Sequence, residues 1–313
     1  MKSANKIELH YYLSNQSHLM DAFVRHKCET EILTIAKDLI NAFGFNIQIL
    51  SGMPTQGGFI EGWKLAGENE DECTLVASVI SLVLSKVPPS NKALEKLQKE
   101  NLKLEAKQKR SVIDKLKDEL ADGQKVTATL IQTAVAFFEA DFKLIKHKSN
   151  FYLALQKYAA VEKISTNIFF DDVAIGKDKL VERQDFHRFI LTSNKLPEQI
   201  IENAVIEVVS PVLKSGKYKW KGIFNDKAVG FTMKDEDYLK SVIKKEVTFQ
   251  SGFSFQCILK INRIINDFGV IQVRSYTVLT VLGKMQGNTV IETEQGRRFK
   301  RSKEELENQL TLF

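Results

Sequence analysis

The 313 residues predict an α+β protein, with an N-terminal α/β unit, a helical middle section and a C-terminal β-rich domain that is a small barrel or sandwich. Residues 1–90 alternate between strand-like and helix-like segments, which is typical of an α/β unit. Residues 91–162 repeat apolar positions at helical spacing, and residues 163–291 carry short alternating segments between turn signals. Residues 292–313 form a basic tail that ends in QLTLF.

The composition fits a packed globular protein in a reducing compartment. Apolar residues make up 43% and charged residues 27% of the chain, which argues against a disordered protein. The 3 cysteines are far apart and odd in number, so no disulfide framework is predicted. The polar N-terminus shows no secretory signal, and no stretch of about 18 uncharged apolar residues predicts a membrane span. We therefore expect a cytoplasmic protein.

The N-terminal unit begins with a strand and a helix. Residues 6–13 (KIELHYYL) alternate in polarity and predict the first strand. Residues 18–42 repeat apolar side chains at helical spacing, with Ser17 as the expected N-cap and Gly44 at the expected helix end. Residues 45–50 (FNIQIL) alternate again and predict a second strand.

A loop at residues 51–58 leads to a helix that is apolar on nearly all sides. This helix is predicted over residues 73–87, where Pro88 and Pro89 end it. A helix of this kind is buried in a core, in an oligomer interface or in lipid, and its length favours the first two. We therefore expect a homo-oligomer. The alternative is an effector that acts on membranes or on a partner protein through residues 74–87.

The middle section is predicted to be helical throughout. Residues 91–120 contain neither Gly nor Pro, but Asn101 and Gln108 interrupt the leucine seam, so a connecting helix is expected rather than a long coiled coil. The helical pattern continues over residues 127–139 and 141–160.

The β-rich domain shows regularly spaced strand signals. Asn225 and Asp226 are expected to form a hairpin turn. A short helix is predicted over residues 235–245, because three acidic residues stand where they favour a helix N-terminus. The predicted strands are 204–209, 217–224, 228–233, 253–261 and 269–282.

No motif for catalysis is present in the sequence. It contains neither a phosphate-binding Gly-rich loop followed by Lys and Ser or Thr nor a Gly-x-Ser-x-Gly elbow. The five histidines do not show a metal-ligand spacing. Asp171 and Asp172 offer a third alternative, a metal-dependent nuclease, for which no further carboxylate or lysine can be placed. We therefore expect no catalytic residue, no metal and no cofactor.

Positive charge is concentrated in two patches. Residues 92–117 contain nine basic and four acidic residues, and Lys107, Lys109 and Arg110 are the candidates there for contacts with nucleic acid. Residues 297–303 contain no acidic residue, and their candidates are Arg297, Arg298, Lys300 and Arg301. A solvated helix face with Glu–Lys pairs is the alternative for the first patch.

The last five residues resemble a known docking peptide. Gln309-Leu310-Thr311-Leu312-Phe313 is similar to the Gln-Leu-Ser/Asp-Leu-Phe peptide with which bacterial replication and repair proteins bind the DNA polymerase sliding clamp. It departs from that consensus at Thr311. The resemblance implies that Leu310, Leu312 and Phe313 fill apolar pockets of the clamp and that Gln309 hydrogen-bonds at the rim. The alternative is that these side chains pack into the protein's own core.

The patches and the terminal peptide together predict a non-enzymatic accessory protein of bacterial origin that binds DNA. It would contact phosphates through its basic patches and the sliding clamp through its C-terminus. A standalone chain of this kind, without a recognisable catalytic site, suits a bacterial accessory role or a role in anti-phage defence.

Overall fold

The chain divides into two units, and the α+β class is confirmed. Unit 1 comprises Met1–Asn194 and Ile265–Val270, and unit 2 comprises Lys195–Ile264 and Ile271–Phe313. The computed structural model describes residues 4–14, 19–51, 59–88, 96–97, 100, 106–121, 125–214, 216, 218–286 and 289–310.

Unit 1 is an antiparallel sheet with helices packed on one face. The elements are β1 (Lys6–Leu13), α1 (Ala22–Phe43), β2 (Ile47–Ser51), β3 (Phe59–Gly67), α2 (Glu70–Ser85), α3 (Ala106–Ala121), α4 (Ala128–Phe138), α5 (Phe142–Lys157), β4 (Val161–Phe170), β5 (Val173–Glu182) and a 3-10 helix, Arg183–Phe189. The strands occur in the order β2-β3-β1-β4-β5, and β1 lies in the centre between β3 and β4. This order, with the succession β1-α1-β2-β3-α2-β4, is the split βαβ arrangement of ferredoxin-like folds, here with α3, α4 and α5 inserted between α2 and β4.

The alternation of β1 fixes which face of the sheet is covered. Ile7, Leu9, Tyr11 and Leu13 are buried, whereas the residues between them are partly exposed on the other face. The apolar helix α2 packs on this sheet and on α1 and α4. Its apolar surface is therefore covered by the chain itself.

Two predictions for the N-terminal unit need correction. Helix α1 begins at Ala22, because the side chain of Asp21 accepts hydrogen bonds from the backbone N–H groups of Phe23 and Val24. Asp21 is therefore the N-cap, and Ser17 lies outside the described residues. Strand β3 is not predicted from the sequence, yet it pairs with both β1 and β2.

The boundary of the first unit lies further along the chain than the sequence indicates. The predicted domain limits are residues 90 and 162, but β4 pairs with β1 from Lys6 to Leu13 and therefore belongs to the same sheet. The predicted connector consequently falls within unit 1, which extends to Asn194. Of residues 91–105, the structure describes only 96–97 and 100, all helical.

Unit 2 is a closed five-stranded barrel with two helices. The elements are β6 (Gln199–Ser210), β7 (Trp220–Phe224), β8 (Lys227–Met233), α6 (Glu236–Ile243), β9 (Ser254–Ile265), β10 (Ile271–Gln286), β11 (Thr289–Glu292) and α7 (Glu294–Leu310). Strands β6, β7 and β8 follow one another as antiparallel neighbours, β8 and β10 are parallel, and pairings of β9 with β6 and β10 close the barrel. Because the sheet closes on itself, the domain is a barrel and not a sandwich.

The barrel has the connectivity of an OB-fold, with one helix between the third and fourth barrel strands. Its interior holds Trp220, Phe231 and Phe255, all nearly inaccessible to solvent. The hairpin between β7 and β8 turns at Asn225 and Asp226, as predicted, and both have positive φ angles, 48° and 59°. Positive φ at both central residues is what a type I′ turn requires.

Candidate nucleic-acid interface

Helix α7 is fixed to the barrel through its first turn. The hydroxyl of Thr293 donates to the carbonyls of Val281 and Leu282 and accepts from the N–H of Gly296, so Thr293 caps the helix. A Cβ atom added at Gly296 would lie 1.9 Å from the Leu282 carbonyl oxygen. Only glycine therefore permits this close approach of α7 to β10.

The anchored face and the basic face of α7 are opposite each other. At about 100° per residue, Arg297, Arg298, Lys300 and Arg301 fall within an arc of about 160°. All four side chains are exposed, whereas Phe299 projects from the other side and is half-buried. The basic face defined by these four residues therefore points away from the barrel.

The four basic side chains differ in how far they are neutralised. Arg298 forms an ion pair with Glu294, and Lys300 lies 3.4 Å from the carboxylate of Glu292. Within the described part of the chain, Arg297 and Arg301 form no ion pair. These two arginines are therefore the ones whose charge is most available to an incoming phosphate.

The net positive charge of the protein lies entirely in unit 2. Unit 2 contains 19 Lys and Arg residues against 13 Asp and Glu residues, a net charge of +6. Unit 1 contains 26 of each and is neutral. A local excess of this kind raises the electrostatic potential around the barrel, and that potential attracts polyanions.

A second basic feature of unit 2 was missed by sequence reasoning. A pocket of about 450 Å³ lies between the β6–β7 loop, the end of β8 and α6. Lys214 and Lys219 line it together with Tyr218, whose side chain is 59% exposed. Lysines and an exposed aromatic ring are the groups that hold phosphates and stack on bases. The segment KSGKYKWK over residues 214–221 carries this signal in the sequence.

The pocket and α7 lie at the same end of the barrel. Asp235 caps α6 by accepting from the N–H of Tyr238, and its second oxygen accepts from the N–H of Val281 on β10. The side-chain amide of Gln295, in the first turn of α7, donates to Asp235 and Asp237. The first turns of α6 and α7 are thus joined. The predicted role of residues 235–237 as helix-start acids agrees with this geometry.

The other predicted interface residues fall largely outside the described side chains. Lys107, Lys109 and Arg110 lie in the first turns of α3, and the structure describes their backbone only. Gln309 and Leu310 are the last two residues of helix α7, also described by backbone alone, and Thr311, Leu312 and Phe313 lie outside the described residues. Their roles as interface residues therefore stay predictions.

Asp171 and Asp172 form the turn between β4 and β5. Both have positive φ angles, 43° and 66°, as a tight hairpin requires. Asp171 accepts a hydrogen bond from Asn5, and the ammonium group of Lys6, 2.8 Å away, lowers the pKa of Asp172. Among the described residues, no group of three His, Cys, Asp or Glu side chains could hold a metal ion. The geometry gives these aspartates a turn role and does not favour the nuclease alternative.

The apolar helix α2 serves as a core element of unit 1. Leu75, Val76, Val79 and Ile80 are all nearly inaccessible to solvent within this one chain. The apolar surface that led us to expect a homo-oligomer, or a membrane or partner effector, is thus already covered. None of the helices in the described part of the chain is long and apolar enough to cross a membrane.

Comparison with known proteins identifies no relative. The chain matches no family model, and no match to a curated protein or to a solved structure is found.

Proposed function

We propose that this protein is a non-enzymatic, cytoplasmic accessory protein that binds DNA through unit 2. The observation that carries the proposal is the position of the charge: unit 2 has a net charge of +6, and the basic face of α7 points away from the barrel. Arginines that carry no intramolecular ion pair release condensed counterions when they contact phosphates, and this release drives binding to DNA.

The barrel topology supports the proposal in a limited way. OB-type barrels bind oligonucleotides and oligosaccharides, and an uncharged oligosaccharide would gain little from the excess charge of unit 2. One fold serves many functions, so topology counts here only together with charge. The lysines and Tyr218 around the barrel pocket would add phosphate contacts and base stacking if the DNA is single-stranded.

A charge-reversal experiment tests the proposal. The variant R297E/R298E/R301E changes the net charge by six units on the basic face of α7. The matched control, K37E/K125E/K157E, makes the same change at three exposed lysines of unit 1. Fluorescence anisotropy with a labelled DNA oligonucleotide, titrated at several salt concentrations, measures affinity and its salt dependence for both variants.

The two variants are expected to behave differently. Reversal on α7 should weaken DNA binding by at least about 100-fold at moderate salt. It should also remove about three phosphate contacts, which makes the slope of log K against log salt concentration shallower by about 2.7 for duplex DNA. The control should lower affinity only modestly. Equal losses in the two variants would mean that global charge alone governs binding, and an unchanged α7 variant would remove the proposed interface.

Docking to the sliding clamp is a separate part of the proposal, supported by the resemblance of residues 309–313 to the clamp-binding peptide. Deleting these five residues should abolish binding to a purified bacterial clamp, measured by surface plasmon resonance. The melting temperature should stay nearly unchanged, because a displayed terminus contributes little to stability. A deletion that lowers the melting temperature while the intact chain shows no clamp binding would indicate that these side chains pack internally.

A further inference from the structure

Unit 1 contains a half-open pocket that none of the preceding functions uses. It has a volume of about 240 Å³ and lies between α2, α4 and the strands β4 and β5. Its walls are formed by apolar side chains at the buried end and by a lysine-bearing strand at the mouth. The apolar wall consists of Leu82, Ile131, Ile168 and Ile175.

Hydroxyl groups lie at the buried end of this pocket. Ser78 and Ser81 project from one face of the otherwise apolar helix α2, and Ser81 shares a hydrogen bond of 3.2 Å with Thr166. Ser78 is 4% exposed, and its Oγ has no hydrogen-bond partner among the described residues. A buried hydroxyl without a partner costs free energy, so a ligand that hydrogen-bonds to Ser78 would remove this cost.

Two lysines stand at the mouth on the side of β5 that faces the helices. Ile175 and Val181 are on this side, and the alternation of the strand places Lys177 and Lys179 between them. Positions of this kind normally hold apolar residues. Both lysines are exposed, and in the described part of the chain neither forms an ion pair. Their charges are therefore available to a ligand at the pocket mouth.

We propose that this pocket binds a small carboxylate that has an apolar body and a hydroxyl group at its far end. The carboxylate would meet Lys177 and Lys179, the body would lie against the apolar wall, and the distal hydroxyl would hydrogen-bond to Ser78. The volume of about 240 Å³ corresponds to about eight water molecules, which suits one aromatic ring with two short substituents.

Three related probes separate the parts of this recognition. 4-Hydroxyphenylacetate carries all three groups, phenylacetate lacks the hydroxyl, and 2-(4-hydroxyphenyl)ethanol lacks the carboxylate. Isothermal titration calorimetry of the full chain should give saturable binding of the first probe with a Kd below about 1 mM, a reasonable affinity for a ligand of this size. Each of the other two probes should bind about tenfold more weakly, because each loses one polar interaction.

Two conservative variants assign the losses to residues. S78A should weaken 4-hydroxyphenylacetate about tenfold and leave phenylacetate unchanged, whereas K177Q/K179Q should weaken both acids and leave the alcohol unchanged. Thermal unfolding followed by tryptophan fluorescence verifies that both variants remain folded. The proposal is overturned if the folded wild-type protein binds 4-hydroxyphenylacetate with a Kd above about 1 mM, or if binding does not respond to either variant.

Discussion

The two units handle their charged side chains in opposite ways. Among the described residues, unit 1 buries five acidic or basic side chains and is neutral in total, whereas unit 2 buries only one, Asp235, and carries a net charge of +6. The buried groups of unit 1 are Glu31, Glu61, Lys146, His147 and Lys148.

The buried charges of unit 1 therefore stabilise the fold, whereas the exposed charges of unit 2 can contact a ligand. Buried charges must be satisfied by one another, since an unpaired one costs several kcal/mol. In unit 1, Glu31 accepts a hydrogen bond from His147 at 2.6 Å and forms an ion pair with Lys27, and Arg25 lies 2.7 Å from Glu61. Charges used in this way are not available to a ligand. On the surface of unit 2, Arg297 and Arg301 form no ion pair among the described residues, and their charges remain available to a ligand.

One tryptophan in each unit allows the comparison to be measured. Trp63 is 4% exposed in unit 1, and Trp220 is 1% exposed in the barrel. The chain contains only these two tryptophans. In a W220F background the fluorescence therefore reports on unit 1, and in a W63F background it reports on unit 2.

The largest effect is expected from breaking the buried pair of Glu31 and His147. E31Q should lower the free energy of unfolding of unit 1 by about 3–5 kcal/mol, because it removes the buried carboxylate charge that pairs with Lys27 and accepts a hydrogen bond from His147. Urea denaturation followed by Trp63 measures this change. The control E162Q removes an exposed carboxylate and should have almost no effect. A loss seen equally in the Trp220 signal would contradict the separation of the two units.

The same pair gives unit 1 an acid sensitivity that E31Q should lack. Burial raises the pKa of Glu31, but the hydrogen bonds from His147 and Lys27 outweigh burial and lower the pKa below its ordinary value. A lowered folded pKa means that the stabilisation is present above the ordinary glutamate range and is lost as the pH falls through the folded pKa.

The second-largest expected effect is a pH dependence of the stability of unit 1 at alkaline pH. Burial lowers the pKa of Lys148 to about 7, against the opposing charge of Glu139 and with help from Lys86. Between about pH 7 and 10.5 the Lys148 side chain is therefore neutral in the folded protein and protonated in the unfolded chain. Unfolding takes up a proton in that window, so the free energy of unfolding rises with pH there. The rise should reach about 1.4 kcal/mol per pH unit and about 3 kcal/mol between pH 7 and 10.

Substitution of this lysine sharpens the test. K148M should flatten the alkaline rise of unit 1, measured by urea denaturation at several pH values with Trp63 as the reporter. K157M, which removes an exposed lysine from the same helix, should keep it. An unchanged slope in K148M would show that the Lys148 ammonium does not lose its proton on folding.

The smallest effect concerns the attachment of α7 to the barrel. G296A should destabilise unit 2 by about 2 kcal/mol, because the added Cβ would overlap the Leu282 carbonyl and force the helix away. Helix propensity alone predicts the opposite sign, since alanine is the better helix former by about 1 kcal/mol. Urea denaturation followed by Trp220 decides between the two. Increased stability would place α7 further from β10 than described.

Local patterns predicted local structure well. The alternation of KIELHYYL gave the limits of β1, and Asn225 and Asp226 gave the hairpin turn, because each depends on neighbouring residues only. Strand β3 was missed because Phe59 and Ile60 are both apolar and Gly62 interrupts the pattern. The basic face of α7 was recognisable because charges that remain exposed need no fold to define them.

Features that depend on distant residues could not be predicted. Glu31 and His147 are 116 residues apart in the chain, and only the packing of α1 against α5 brings them together. Thr166 of β4 and Ser81 of α2 meet in the same way, where the helix packs on the sheet of unit 1. The pocket beside them appears in the sequence only as two serines in an apolar helix.

Hydrogen–deuterium exchange of the full chain, with and without a saturating DNA oligonucleotide, shows which unit the DNA contacts. We expect slower exchange in α7 around Arg297–Arg301 and around the β6–β7 loop, with unit 1 unchanged. Protection confined to unit 1, or DNA binding without any protection in unit 2, would rule out unit 2 as the DNA-binding unit.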